Sequence, residues 1–111
     1  MRSMVVCLML KKSLKASFRG EVFDGPKPIA AWGREFIQAL ENGYPKYAHL
    51  HDVILDVSCN ALDRIGYCDT SSELLPHILS HPKAFLRTSL LIVDHFCFST
   101  GTDKDLPLHI H

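Results

Sequence analysis

The sequence predicts a small α+β domain, predominantly helical, in which an N-terminal β-hairpin is followed by about four helices. Two observations predict this class: an apolar run and a segment of alternating polarity near the start, and apolar residues at helical spacing over most of the rest. With 111 residues, 47 % of them apolar, the chain has room for one domain, residues 1–111, and a core that needs no disulfides. This composition excludes a disordered tail and a collagen-like repeat.

The predicted hairpin occupies the first 23 residues. Its first strand is the apolar run 4–10, and its second is 14–23, where Leu14 and Phe18 belong to an alternation of apolar and polar residues. Residues 11–13 form the turn. Because a hairpin alone is marginal in water, the prediction requires helices to cover one face of it.

Four helices are predicted after the hairpin by apolar residues at a spacing of three and four. Their ranges are 28–42, 46–65, 72–80 and 82–98. Pro28 opens the first helix and Pro45 prevents its continuation. Residues 90–98 also have the composition of a strand, and a helix is favoured there because Pro82 starts it and Gly101 ends it.

A homo-oligomer, a dimer or higher, is predicted by an apolar helix and by the exposed strand edges of the hairpin. A helix over 84–98 is apolar on most sides, which requires more cover than a monomer of this size supplies, and it places Leu91 and Ile92 at the interface. Residues 1–23 hold five bases and one acid, a net charge of +4, whereas 24–111 hold seven bases and eleven acids, a net charge of −4. Such a split can bring the start of one subunit to the acidic surface of another, or it is the solvated face of a sheet.

A cytoplasmic protein without a membrane partner is predicted. No apolar run approaches the ~18 residues that a membrane span requires. Residues 4–10 imitate a signal peptide, but Lys11 and Lys12 follow where a small-residue cleavage site should be. The four cysteines have no paired spacing, which is typical of reduced thiols.

Seven histidines are the unusual count in this composition. His77 and His81 are four residues apart, a spacing that can point two imidazoles at a metal, and His49, Asp52 and Asp56 share one face of the second helix. These five residues are the candidate ligands of the alternative function, a metal-dependent or acid–base enzyme with a site between helices. No third ligand has a diagnostic spacing, and no cofactor and no catalytic residue are assigned.

An apolar pocket between helix and sheet is the other candidate site. Its predicted lining is Trp32, Phe36, Tyr44 and Tyr47. Core packing is the leading interpretation of Trp32 and Phe36, and the pocket is the functional alternative. Gly33 on the same face permits the close approach of another element or leaves room for a ligand.

The leading functional prediction is a self-associating binding module for a protein partner or a small apolar ligand, and enzymatic activity is left open. Phosphate-binding glycine loops are absent from the sequence. Nucleic-acid binding is disfavoured because Phe18 lies on the opposite face of the predicted strand from the neighbouring bases.

Overall fold

The computed structural model describes residues 2–67 and 71–98, and every long element within them is an α-helix. The elements are α1 (Arg2–Arg19), α2 (Lys27–Gly43), a 3-10 helix (Pro45–Leu50), α3 (His51–Gly66), α4 (Ser71–Ser80) and α5 (Pro82–Phe98). The described residues contain no strand, so the predicted α+β class is wrong.

The predicted hairpin over 4–10 and 14–23 is replaced by α1 and the loop that follows it. Its sequence contains no Gly, Pro, Asn or Asp that would turn the chain before Gly20, and its Met, Leu, Lys and Ala residues favour a helix. The alternation around Leu14 and Phe18 has a tertiary cause. Because α1 packs against both α2 and α3, apolar positions on two of its sides are covered.

The four helices after residue 27 are present. The ranges 28–42, 72–80 and 82–98 agree with α2, α4 and α5 to within one residue at each end. The range 46–65 divides into the 3-10 helix and α3. The ambiguous residues 90–98 lie within α5 and are helical.

The helices form a bundle whose order around the axis is α1, α2, α5 and α3. The first helix contacts α2 and α3, and α5 contacts the same two helices from the other side. The short α4 packs against all four. This order leaves two outer grooves on opposite sides of the bundle, one between α1 and α3 and one between α2 and α5.

The core joins the helices through large side chains. Trp32, Phe36 and Phe85 form an aromatic cluster with ring centroids 5.8 to 6.0 Å apart. The indole Nε1 of Trp32 donates a hydrogen bond of 2.8 Å to the carbonyl of Ile78, which fixes α4 to α2. The apolar residues with no exposed surface are Leu10, Leu14, Phe36, Leu40, Ile54, Leu62, Leu86, Leu90 and Val93.

A close crossing of α1 and α2 sets the position of α1. The hydroxyl of Ser13 is buried and donates a 2.7 Å hydrogen bond to the carbonyl of Ile29. A methyl group at Gly33 would contact the Ser13 hydroxyl and lie 2.9 Å from the Ser13 carbonyl oxygen. Gly33 therefore permits the approach of another element rather than leaving room for a ligand.

Candidate interaction groove

Three of the four predicted pocket residues belong to the core. Trp32, Phe36 and Tyr47 are buried, and the first two pack in the aromatic cluster. Tyr44 is partly exposed and lines the outer groove between α2 and α5. The four side chains therefore do not enclose one shared pocket.

The α2–α5 groove has a volume of about 800 Å³ and a lining of mixed polar and apolar surface. One wall carries Glu35 and Gln38 from α2, and the other carries Lys83 and Arg87 from α5. All four side chains are exposed. Since both signs of charge face the solvent there, the groove carries no strong net potential.

The five predicted metal ligands lie in two places. The rings of His77 and His81 are 4.5 Å apart at the junction of α4 and α5, and both are exposed. His49 is exposed on the 3-10 helix, and Asp52 and Asp56 are exposed on α3. Among residues 2–67 and 71–98, no group of three His, Cys, Asp or Glu side chains is placed to hold a metal ion. The metal site remains a prediction.

A longer groove lies between α1 and α3, which run antiparallel. Gly66 at the end of α3 faces Cys7 near the start of α1, and the ring of His51 at the start of α3 lies 5.4 Å from that of Phe18 near the end of α1. Two adjoining cavities occupy the groove and share Lys11 and Asp63 in their walls.

The apolar end of the α1–α3 groove has a volume of about 450 Å³. Its walls include Met4, Val5 and Leu8 of α1 and Gly66 and Tyr67 at the end of α3. Residues 4–10 of α1 are all apolar, so a helix here has apolar side chains on every side. One side of α1 faces the core, and on the other side Leu8 is 47 % and Val5 55 % exposed. Tyr67, which follows α3 and lines the same cavity, is 78 % exposed.

The charged end of the groove has a volume of about 290 Å³. Lys15 lines it from α1, and Asp52, Asp56 and Asn60 line it from α3. All four are exposed. Two of the predicted metal ligands therefore face a lysine across a groove, where carboxylates complement a base.

An ion pair separates the two ends. Nζ of Lys11 donates to Oδ1 of Asp63 at 2.6 Å, and this hydrogen bond is the main cause that raises the pKa of Lys11 above its ordinary value. Within the described residues, Lys12, Lys15 and Arg19 make no ion pair. The basic half of α1 therefore keeps charge that can meet acids of another molecule.

Cys7 and Cys59 lie in the floor of the groove and are free thiols. Burial is the main cause that raises the pKa of each above 9.0. Both are therefore protonated near neutral pH and poor nucleophiles. Cys97 is free and exposed on α5.

Sequence reasoning missed two buried polar contacts in the bundle interior. Oη of Tyr47 donates to Oδ1 of Asp94 at 2.8 Å, and Oγ of Ser58 donates to Oγ of Ser89 at 2.9 Å. Oδ2 of Asp94 has no hydrogen-bond partner within the described part of the chain. The sequence does show Asp94 as an acid within the apolar part of α5, but nothing in the sequence indicates that Tyr47 is its partner.

The groove itself was also missed, although its signal was present. A seven-residue apolar run that continues into a lysine pair without turn residues fits a helix with an uncovered apolar side as well as it fits a strand.

No protein-family model, curated protein or solved structure matches this chain. In the ranges that the structure describes, no helix is both long and apolar enough to cross a bilayer.

Proposed function

We propose that the protein is a self-associating binding module whose association surface is the apolar end of the α1–α3 groove. The observation that carries the proposal is the exposure of Met4, Val5, Leu8 and Tyr67 around one groove. Contiguous exposed apolar side chains are typical of interaction sites. Covering a half-exposed side chain of this size stabilises a complex by on the order of 1 kcal/mol.

A protein surface suits this groove better than a small apolar ligand. Pockets for small molecules usually bury most of the ligand, whereas the side chains around this groove are themselves largely exposed. A ligand lying among them would keep one side in water. The surface of another folded chain would cover both the cavity and the exposed side chains of its walls.

The interface predicted on α5 is the competing location. Leu91 is 46 % exposed there and Phe96 is also exposed, but Ile92 is only partly so. Within the described residues, none of the three cavities lies between these side chains. The alternative of a metal-dependent or acid–base enzyme gains no support from the described histidines and carboxylates.

A cytoplasmic location is part of the proposal. Cys7, Cys59 and Cys97 are free thiols, which suits a reducing compartment.

Sedimentation of the untagged chain tests the proposal through two matched variants. Leu8→Glu and Leu91→Glu introduce the same charge at side chains of nearly equal exposure, 47 % and 46 %. We expect the wild type and Leu91→Glu to sediment as oligomers and Leu8→Glu as a monomer with an unchanged helical circular dichroism spectrum. A monomeric wild type, or dissociation by Leu91→Glu alone, contradicts the proposal.

A further inference from the structure

The walls of the α1–α3 groove carry opposite charges at the same end. Lys15 lines this end from α1, and Asp52 and Asp56 line it from α3, with all three side chains exposed. The antiparallel arrangement of the two helices places this base and these acids side by side, with the apolar end beyond Lys11. Along its length, the surface of the groove is apolar at one end and charged at the other. Across its width, the charged end is basic on the α1 wall and acidic on the α3 wall.

We propose that the occupant of this groove is a second copy of the chain, related to the first by a two-fold axis that runs along the groove. This inference rests on the proposed function, because it names the partner and the orientation of the same surface. A rotation about that axis places α1 of one copy over α3 of the other. It also keeps each end of the groove against the same end of its copy.

Both divisions of the surface are then matched. Leu8 and Val5 meet Tyr67 of the partner subunit, so apolar side chains cover one another. Lys15 meets Asp56 of the partner subunit, and the same contact occurs a second time because the interface is symmetric. The four helices α1 and α3 of the two copies form a central layer of the dimer.

A two-fold axis across the groove gives the opposite result. That rotation lays the apolar end of one copy over the charged end of the other and α1 over α1. Lys15 would then lose water against Met4 and Val5 of the partner subunit without gaining an acid, which is unfavourable for a charged group. Charge and apolar matching therefore select the axis along the groove.

The two ends contribute differently to association. Ion pairs at exposed positions are individually weak and are screened by salt, so the charged end selects the orientation. The apolar end supplies most of the binding free energy through burial. In this dimer each α2–α5 groove lies on the outer side and stays accessible.

Disulfide trapping tests the orientation. Lys15→Cys is made in one preparation and Asp56→Cys in another, both with Cys59→Ala, Cys68→Ser and Cys97→Ser because Cys59 lines the same end of the groove, and the two are mixed under mild oxidation. A disulfide requires Cα atoms within about 7 Å, which in the proposed dimer holds for residue 15 of one copy and residue 56 of the other. We expect a cross-linked dimer in the mixture and none in either preparation alone. Arg34→Cys, exposed on α2, replaces Lys15→Cys as the control and gives no cross-link with Asp56→Cys.

Charge reversal supplies a second measurement. Lys15→Glu weakens dimerisation by about tenfold at low salt because both symmetric contacts become repulsive. Adding Asp56→Lys to the same chain restores the dimer. An additive loss in the double variant overturns the proposal.

The outcomes separate this inference from the proposed function. If dimers form and Leu8→Glu dissolves them, but Lys15→Cys and Asp56→Cys do not cross-link, the two-fold arrangement is wrong and the association surface stands. If the wild-type chain is a monomer that binds only a different protein, both are wrong.

Discussion

Lys11 and Asp63 form an ion pair of 2.6 Å that joins the middle of α1 to the last turns of α3. The pair lies where the apolar and charged ends of the α1–α3 groove meet. Asp63 is 47 % exposed, so the pair adds little to stability. Its position matters more, because it marks the boundary between the apolar part and the charged part of the proposed interface.

The crossing of α1 and α2 at Gly33 predicts a large effect of a single methyl group. Gly33→Ala forces the added carbon against Ser13, whose carbonyl oxygen would be 2.9 Å away, and we expect a loss of about 1–3 kcal/mol in the free energy of unfolding. Urea unfolding followed by the fluorescence of Trp32 measures it. Gly43→Ala is the control, because nothing lies within 4 Å of a Cβ there. Equal free energies of unfolding of the two variants would contradict a close contact of α1 with α2 at Gly33.

The buried hydroxyl pair Ser58–Ser89 predicts a non-additive mutant cycle. Removing either hydroxyl leaves the other buried without its partner, so Ser58→Ala and Ser89→Ala each cost about 1 kcal/mol or more. The double variant removes both polar groups and is expected to cost less than the sum of the singles. Chemical denaturation of the four proteins gives the coupling free energy, and strict additivity would disprove the contact.

The contact between Tyr47 and Asp94 predicts that Tyr47→Phe is costly despite its conservative shape. The change removes the donor to Oδ1 of a carboxyl group whose Oδ2 has no hydrogen-bond partner among residues 2–67 and 71–98. We expect a loss of about 1–3 kcal/mol in the free energy of unfolding. Tyr44→Phe, at a partly exposed position, is the matched control and should cost much less. A near-zero effect of Tyr47→Phe would mean that water replaces the phenol.

The raised pKa values of Cys7 and Cys59 predict a lower free energy of unfolding at alkaline pH. A thiol with a raised pKa holds its proton more tightly in the folded state, so its contribution is complete below 9.0 and is lost as the pH rises through the folded-state pKa. The raised pKa of Lys11 acts in the same direction above 10.5. We expect the free energy of unfolding to fall above pH 9 in wild-type protein and less steeply in Cys7→Ala/Cys59→Ala.

Thiol labelling at pH 8 gives an independent check on the same two residues. In a Cys68→Ser background, a thiol reagent should react quickly with exposed Cys97 and slowly with Cys7 and Cys59. Fast reaction of all three would contradict their burial.

The residues of the proposed association surface, the α1–α3 groove, were only partly predictable from the sequence. Asp52 and Asp56 line one wall of the groove from α3, whereas His49, predicted on the same helical face, lies on the preceding 3-10 helix. The bases before residue 24, predicted on a hairpin, lie along α1. Their pairing across a groove was not predictable, because it depends on the antiparallel packing of α1 on α3. Trp32 and Phe36 were candidates for a pocket by residue type alone, and packing against Phe85 decided otherwise.

By itself the sequence determined the bounds of α2, α4 and α5, because local signals define them: apolar residues spaced three and four apart, with Pro28 and Pro82 at the starts of α2 and α5. The range 46–65 was predicted as one helix and is divided into the 3-10 helix and α3. Tertiary structure decided how residues 2–19 are covered. Their apolar run and alternation suit a half-buried strand and also a helix covered on two sides; the absence of turn residues favours the helix, and packing against α2 and α3 covers it. The same packing decides that Leu10 and Leu14 fill the core while Met4, Val5 and Leu8 remain available to another molecule.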